Sequence, residues 1–138
     1  MGITLGVPIV TTMSRPLLAS MFVYGGIDAV RHPDSKAPRA VTVTEPLTEA
    51  TAINADATDL VRINGAVQIG AGLALAAGRV PRLSATVLAG SLLLTTIAGH
   101  RFWEERDGKA RAQQTIHFLK NVSMLAGLLA VAGGRASA

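Results

Sequence analysis

The sequence predicts an all-α fold, an integral membrane four-helix bundle, and three observations predict it. The first is composition: 49% of the 138 residues are hydrophobic and only 16% charged, with a mean hydropathy of +0.39, toward the membrane end of the soluble range. The second is a set of four stretches nearly free of charge, and the third is the placing of basic residues at their ends. Aromatic residues make up 4% of the chain. A water-soluble helical core of this size draws on more of them, whereas packing through Ala, Gly, Leu and Val suits helices in lipid. The length allows one domain with a sizeable core and no second one.

The apolar stretches run over 17–30, interrupted by Asp28, then 63–78, 83–99 and 121–134. Each is shorter than the ~18 to 20 apolar residues of a self-sufficient span. A buried helix of a soluble protein would satisfy the same lengths. Against that, "LSATVLAGSLLLTTIAG" has only hydroxyls as polar groups, and these can bond back to their own helix. No charged face is available to meet water. Arg15, Arg62, Arg79, Arg82, Arg101 and Lys120 flank the stretches. Their stems can lie along the helix while the charge reaches the interface. Spanning helices are therefore expected at about 15–30, 60–78, 82–101 and 116–134, with a polar loop over 31–59.

Boundary signals support those limits. Pro16 suits a first helical turn, Gly78 with "RVPR" makes a tight reversal between the second and third helices, and Gly133-Gly134 ends the fourth. Gly6 and Pro8 break up the first fifteen residues, which have neither the charged start nor the cleavage site of a removable signal peptide. Within the long connection, "AVTVTEP" suits an extended segment and "PLTEATAI" a short interfacial helix with Pro46 in its first turn. Small residues recur every fourth position at Gly70, Ala74 and Gly78, at Ala85 and Ala89, and at Ala126, Ala130 and Gly134. Such ridges let helix backbones approach closely.

Several function classes are excluded or disfavoured. There is no cysteine, so disulfides, thiol relays, cysteine-ligated zinc and iron–sulfur clusters are out of reach of this chain. The pI of about 10.4 does not indicate nucleic acid, because the bases form no tract and do not interleave with aromatics. No catalytic triad, nucleophile elbow, phosphate loop or metal-ligand spacing is present. The expectation is no catalytic residue, no metal and no resident cofactor.

Antiparallel helices would bring the end of the first, the start of the second, the end of the third and the start of the fourth to one membrane face. A polar cluster gathers there: Asp28, Gln68, His100, His117 and Lys120, with Arg62, Asn64 and Asn121 nearby. Asp28 and Gln68 sit about one turn inside the interface, and an acid at that depth needs a partner. Lys120, Arg62 and Gln68 are the candidates. In the plain reading the acid fixes helix register. In the sharper one the cluster is a head-group pocket, with a quinone as ligand and His or Lys as proton donor. Trp103 is placed as an interface anchor, and "EERDGKARAQQ" as a solvated helix or loop able to dock a partner.

The stretches "RPLLASMFVYGGIDAV", "RINGAVQIGAGLALAAGRVPRLSA" and "HRFWEERDGKARAQQTIHFLKNVSMLAGLL", in that order and spacing, resemble the DoxX family of small bacterial membrane proteins, particularly its actinobacterial members. The resemblance implies a four-helix integral membrane protein associated with membrane redox chemistry. The family takes its name from a thiosulfate:quinone oxidoreductase subunit, and mycobacterial relatives are linked to a membrane complex with superoxide dismutase and a thiosulfate sulfurtransferase. It provides no catalytic motif to carry over. Many relatives have a basic residue where Asp28 stands and an acid where Gln68 stands.

The function expected is thus an accessory or scaffold subunit of a membrane-bound redox or respiratory complex, multi-pass in the bacterial cytoplasmic membrane, with the lipid bilayer and protein partners around it. The alternative is a quinone-linked oxidoreductase subunit using the polar cluster as its pocket. A small-molecule carrier is disfavoured, since no paired Gly/Pro breaks occur at mid-helix. Nine Lys and Arg fall on the long-loop side against four on the other, and counting bases puts the long loops in the cytoplasm. Net charge, neutral on that side because all nine acids lie there, points the reverse way.

Overall fold

The computed structural model describes residues 6–134, with side chains from Pro8 onward. The described residues are helical and contain no strand: α1 (Gly6–Arg31), a 3₁₀ turn (Pro33–Ser35), α2 (Ala37–Thr51), α3 (Ala57–Ala76), α4 (Pro81–Gly99), a second 3₁₀ turn (Phe102–Glu104) and α5 (Gly108–Gly133). Arg135 and Ser137 lie outside them.

The four long helices match the four apolar stretches, with altered limits. α1 begins at Gly6 rather than near 15, so Gly6 and Pro8 open the helix instead of breaking it. Proline is tolerated in a first turn, where its missing N–H would be unpaired anyway. Pro16 sits in the helix interior, a position expensive in water but accepted in helices whose neighbours re-satisfy the freed carbonyl. α5 begins at Gly108 rather than 116, started by Asp107, whose carboxylate accepts from the Ala110 N–H at 2.8 Å. Asp56 caps α3 in the same way through the Asp59 N–H at 2.8 Å. The charged segment after Trp103 is therefore largely helical.

The polar loop expected over 31–59 contains α2. "AVTVTEP" is helical, not extended, and Pro46 lies inside the helix, with Pro38 in the first turn. The local β preference of Val and Thr is outweighed by a buried face, because Lys36, Ala40, Val43 and Leu47 follow the helical period on one side of α2 and face the rest of the protein. α2 ends on Ala52, in the left-handed region at φ 54°.

The reversal between α3 and α4 is tight, as the sequence indicates. Gly78 takes φ 69° and Val80 φ 39°, the Arg79 N–H bonds the Ala74 carbonyl at 2.8 Å, and Pro81 opens α4.

Close packing uses a different set of small residues from the one expected. α1 runs antiparallel along α3 through Gly26, Gly65 and Gly72: a Cβ on Gly26 would lie 2.6 Å from the Gly65 carbonyl oxygen, and one on Gly72 2.8 Å from Val23 Cγ2. Gly70 has nothing within 4 Å, so the predicted Gly70–Ala74–Gly78 ridge is not the seam. On α4, Ala85 and Ala89 are buried as expected. On α5, Ala126 and Ala130 face outward, while Leu128 is buried and Gly127 meets Leu18. In a chain so rich in Ala and Gly the i, i+4 pattern recurs on several faces, and only packing selects one.

The core joins Ala19 and Phe22 of α1, Leu75 of α3, Ala85, Leu88 and Leu92 of α4, and Leu128 of α5. Among the described residues, the segment Pro81–Glu104 and the helix Gly108–Gly133 are long and apolar enough to cross a membrane. α1 and α3, of 26 and 20 residues, are interrupted by Arg15 and Asp28, and by Asp59, Arg62, Asn64 and Gln68.

Candidate functional site

A cleft of about 740 Å³ opens between α1, α2, α3, α4 and the middle of α5, within the ~300–1,000 Å³ of ordinary small-molecule sites. Its roof is the inward face of α2, with Lys36, Arg39, Ala40, Val43, Thr44 and Leu47 at the i, i+3, i+4, i+7 spacing of one helix side. Met21, Phe22, Val67, Leu92 and Met124 line the apolar part. These residues lie toward the middle of their helices, as does Lys120 in α5, whereas Lys36, Arg39 and His100 come from the ends of α2 and α4 that meet the loops.

Two hydrogen-bonded groups stand between these zones. Gln68 Nε2 donates to Ser91 Oγ at 2.9 Å, and Ser91 Oγ donates to Asn64 Oδ1 at 2.8 Å, tying α3 to α4. Asn121 Nδ2 donates to Thr96 Oγ1 at 3.0 Å, and Thr96 Oγ1 donates a hydrogen bond to the Leu92 carbonyl at 2.6 Å. Gln68, Ser91, Thr96 and Asn121 are buried. A buried amide without a partner costs about 1–3 kcal/mol, so each hydroxyl stabilises the amide facing it.

Of the five residues proposed as a polar cluster, the structure brings Gln68, His100 and Lys120 to the lining of this one cleft. Asp28 and His117 stand one layer back. His117 stacks on His100, centroids 5.2 Å apart and planes 22° off parallel. His100 Nδ1 pairs with Gln114 Oε1 at 2.8 Å. Among the described residues no group of three His, Asp or Glu side chains converges as metal ligands would. The partner expected for Asp28 is corrected: it pairs with Lys36, at the N-terminus of α2, and not with Lys120, Arg62 or Gln68. Arg62 instead pairs with Asp59 at 3.5 Å within its own helix. Asp28 is also about 40% exposed, so it is not the deep acid that its position in the apolar run suggested.

α2 is held over the cleft from two sides. The Lys36–Asp28 pair fastens its start to α1, and Arg101 Nη2 donates to Thr42 Oγ1 at 2.8 Å while Nη1 bonds Glu104 at 3.0 Å. Trp103 packs edge-on against Phe102 and Phe118, with centroids 5.2 Å and 6.1 Å away, and is half exposed. Sequence reasoning passed over Lys36 and Arg39 as cleft residues. The available signal was the helical spacing from Lys36 to Leu47, which a Thr- and Pro-rich composition obscured.

A family model, DoxX, matches residues 10–101, two thirds of the chain. The chain belongs to the DoxX family. DoxX is a family of membrane proteins, consistent with the two long apolar segments. The match covers α1 to α4 and so nearly all of the cleft. α5, which supplies Lys120, Asn121 and Met124, lies beyond it. No curated protein and no solved structure matches the chain.

The geometry offers a site with cationic groups at one end, hydrogen-bonding amides below them and an apolar floor. Such a site can bind and orient an amphiphilic molecule. His100 is the one imidazole among the lining residues.

Proposed function

We propose that this DoxX protein is a multi-pass integral membrane subunit of the bacterial cytoplasmic membrane, with α1, α3, α4 and α5 spanning the bilayer, and that it serves a membrane-bound redox complex as an accessory or scaffold component. The observation that carries the membrane part is the outer surface. Leu83, Ile116 and Leu129 are 62%, 67% and 57% exposed, and only 11% of the apolar window of α5 is buried within the molecule. A core helix of a soluble protein is covered by its neighbours, whereas an apolar surface this wide needs lipid or protein around it.

The scaffold part is supported by the charged segment from Glu104 to Arg111, most of which faces outward beside the half-exposed Trp103. It presents both signs of charge, suited to a partner with a complementary surface. Arg15, Arg79 and Arg82 lie at the opposite end, where the Arg15 guanidinium approaches Gly78. The base count assigns the α2 end to the cytoplasm.

The test starts from membranes of the native host. Alkaline carbonate should leave the protein in the pellet, and release into the supernatant overturns the integral assignment. Single cysteines replacing Ser35 and Ala77, at opposite ends, are then treated with a membrane-impermeant thiol reagent on intact cells. Labelling at 77 and protection at 35 is expected. Labelling of both or neither contradicts alternating spans, and the reverse pattern moves the Glu104–Arg111 face outside. Affinity purification after mild solubilisation should retain a redox enzyme, and retention should fall when Glu104, Glu105, Arg106 and Lys109 are neutralised.

A further inference from the structure

The cleft is electrically one-sided. Lys36, Arg39, His100 and Lys120 line it, and no aspartate or glutamate does. Asp28 is engaged by Lys36, and Glu104 by Arg101. Among the described residues Arg39 and Lys120 have no ion-pair partner. Arg39 on the roof helix and Lys120 on α5 line the same opening, so an anion bound there would meet two unpaired cations. A neutral head group would make use of neither charge.

Beneath the cations the lining changes to Phe22, Val67, Leu92 and Met124, apolar groups with no use for a soluble anion. The volume of about 740 Å³ is that of one drug-sized molecule. We propose that this cleft binds a single-chain amphiphile with an anionic head, phosphate or carboxylate, its head between Arg39 and Lys120 and its chain along Phe22, Leu92 and Met124. Lys36 is neutralised by Asp28 and contributes as a hydrogen-bond donor beside the head. The Gln68–Ser91–Asn64 chain, internally satisfied, forms a polar collar where head gives way to tail. The site depends on the membrane reading only for the route of arrival, since an amphiphile in the bilayer is already concentrated beside the opening.

The test uses the full chain, purified and reconstituted in nanodiscs of phosphatidylcholine, so that membrane insertion is established before binding is read. Hexadecyl phosphate is the probe, followed by native mass spectrometry and by titration of a fluorescent analogue. Hexadecanol, a short-chain ubiquinone analogue and inorganic phosphate are the comparison ligands. The proposal expects hexadecyl phosphate to bind at least about tenfold more tightly than hexadecanol, the difference of one charge-assisted hydrogen bond. Raised salt should weaken it, and inorganic phosphate should fail to displace it at equal concentration. Arg39→Gln and Lys120→Gln should each weaken binding about tenfold. Lys109→Gln and Arg111→Gln, outside the cleft, should leave it unchanged. Arg39 and Lys120 are exposed and unpaired, so their variants should keep the parent melting temperature in the nanodisc. Equal binding of hexadecanol, stronger binding of the quinone, displacement by inorganic phosphate alone, or equal losses in the Lys109 and Arg111 variants would each overturn the proposal.

Discussion

Gly26 and Gly65 meet backbone to backbone: a Cβ built on Gly65 would lie 2.8 Å from the Gly26 carbonyl oxygen, and one on Gly26 2.6 Å from that of Gly65. A methyl group at either site meets a backbone oxygen first, which cannot rotate aside as a side chain can, so α1 and α3 would have to separate. Gly65→Ala is expected to destabilise by about 1–3 kcal/mol, as overpacked sites do. Gly70→Ala, on the same helix with nothing within 4 Å, should be neutral or stabilising by up to about 1 kcal/mol. Thermal unfolding in detergent, followed by loss of the monodisperse peak, measures both. Equal effects would mean that the seam does not lie where the structure places it.

The Gln68–Ser91–Asn64 chain should behave as one unit. Ser91→Ala removes the acceptor for Gln68 and the donor to Asn64, costing about 1–3 kcal/mol for the buried Gln68 amide and less for the half-buried Asn64. Gln68→Leu abolishes one of those losses. The double variant should therefore be less destabilised than the sum of the singles, with a coupling of about 0.5–1.5 kcal/mol. Strict additivity would show that the bonds do not contribute.

For Asp28 and Lys36 the expected effect is small. Their side chains are 43% and 39% exposed, and exposed pairs contribute about 0–1 kcal/mol. Asp28→Asn should shift stability by no more than that, and the charge-reversed pair Asp28→Lys with Lys36→Asp should recover most of the loss. Lys120→Leu should cost no more than Lys109→Leu, because neither lysine has an ion-pair partner among the described residues. A loss of several kcal/mol at Asp28 would place the pair in a far drier setting.

Val80 carries backbone strain. It is a β-branched residue at φ 39°, and its side chain is 62% exposed, so little packing offsets the cost. Replacement by Asn, which tolerates that region, should stabilise by about 1 kcal/mol. The reading is a rise in melting temperature, and a fall would show that the valine makes contacts which outweigh the strain.

The long helices were legible because the apolar runs and their flanking bases are properties of composition, and the α3–α4 turn because Gly78 and Pro81 admit few alternatives. α2 was not, since Thr, Val and Pro argue locally against the helix that its buried side favours. The start of α1 was missed for a related reason: Pro16 reads as a boundary by water-based rules and here lies within a helix. In the site, Gln68, His100 and Lys120 could be grouped from antiparallel geometry alone. The partner of Asp28 could not, because nearness along the bundle axis does not say which base lies on the same side, and Lys36 follows only eight positions later.

The glycine seam also decides which parts of the protein can move. Where two backbones touch at Gly26 and Gly65, sliding or spreading brings carbonyl oxygens into collision or opens a void, so α1 and α3 behave as one rigid body. α5 reaches α1 mainly where Leu18 meets Gly127, and it is tied to α4 by Arg82 bonding the Ala132 carbonyl at 3.0 Å and Asn121 bonding Thr96. The α4–α5 hairpin is held to that pair by the core around Leu75, Leu88 and Leu128 and by the Gln68–Ser91–Asn64 chain. The α1–α3 pair is thus the fixed wall of the cleft, and any change in its width falls to α2 or to the α4–α5 hairpin.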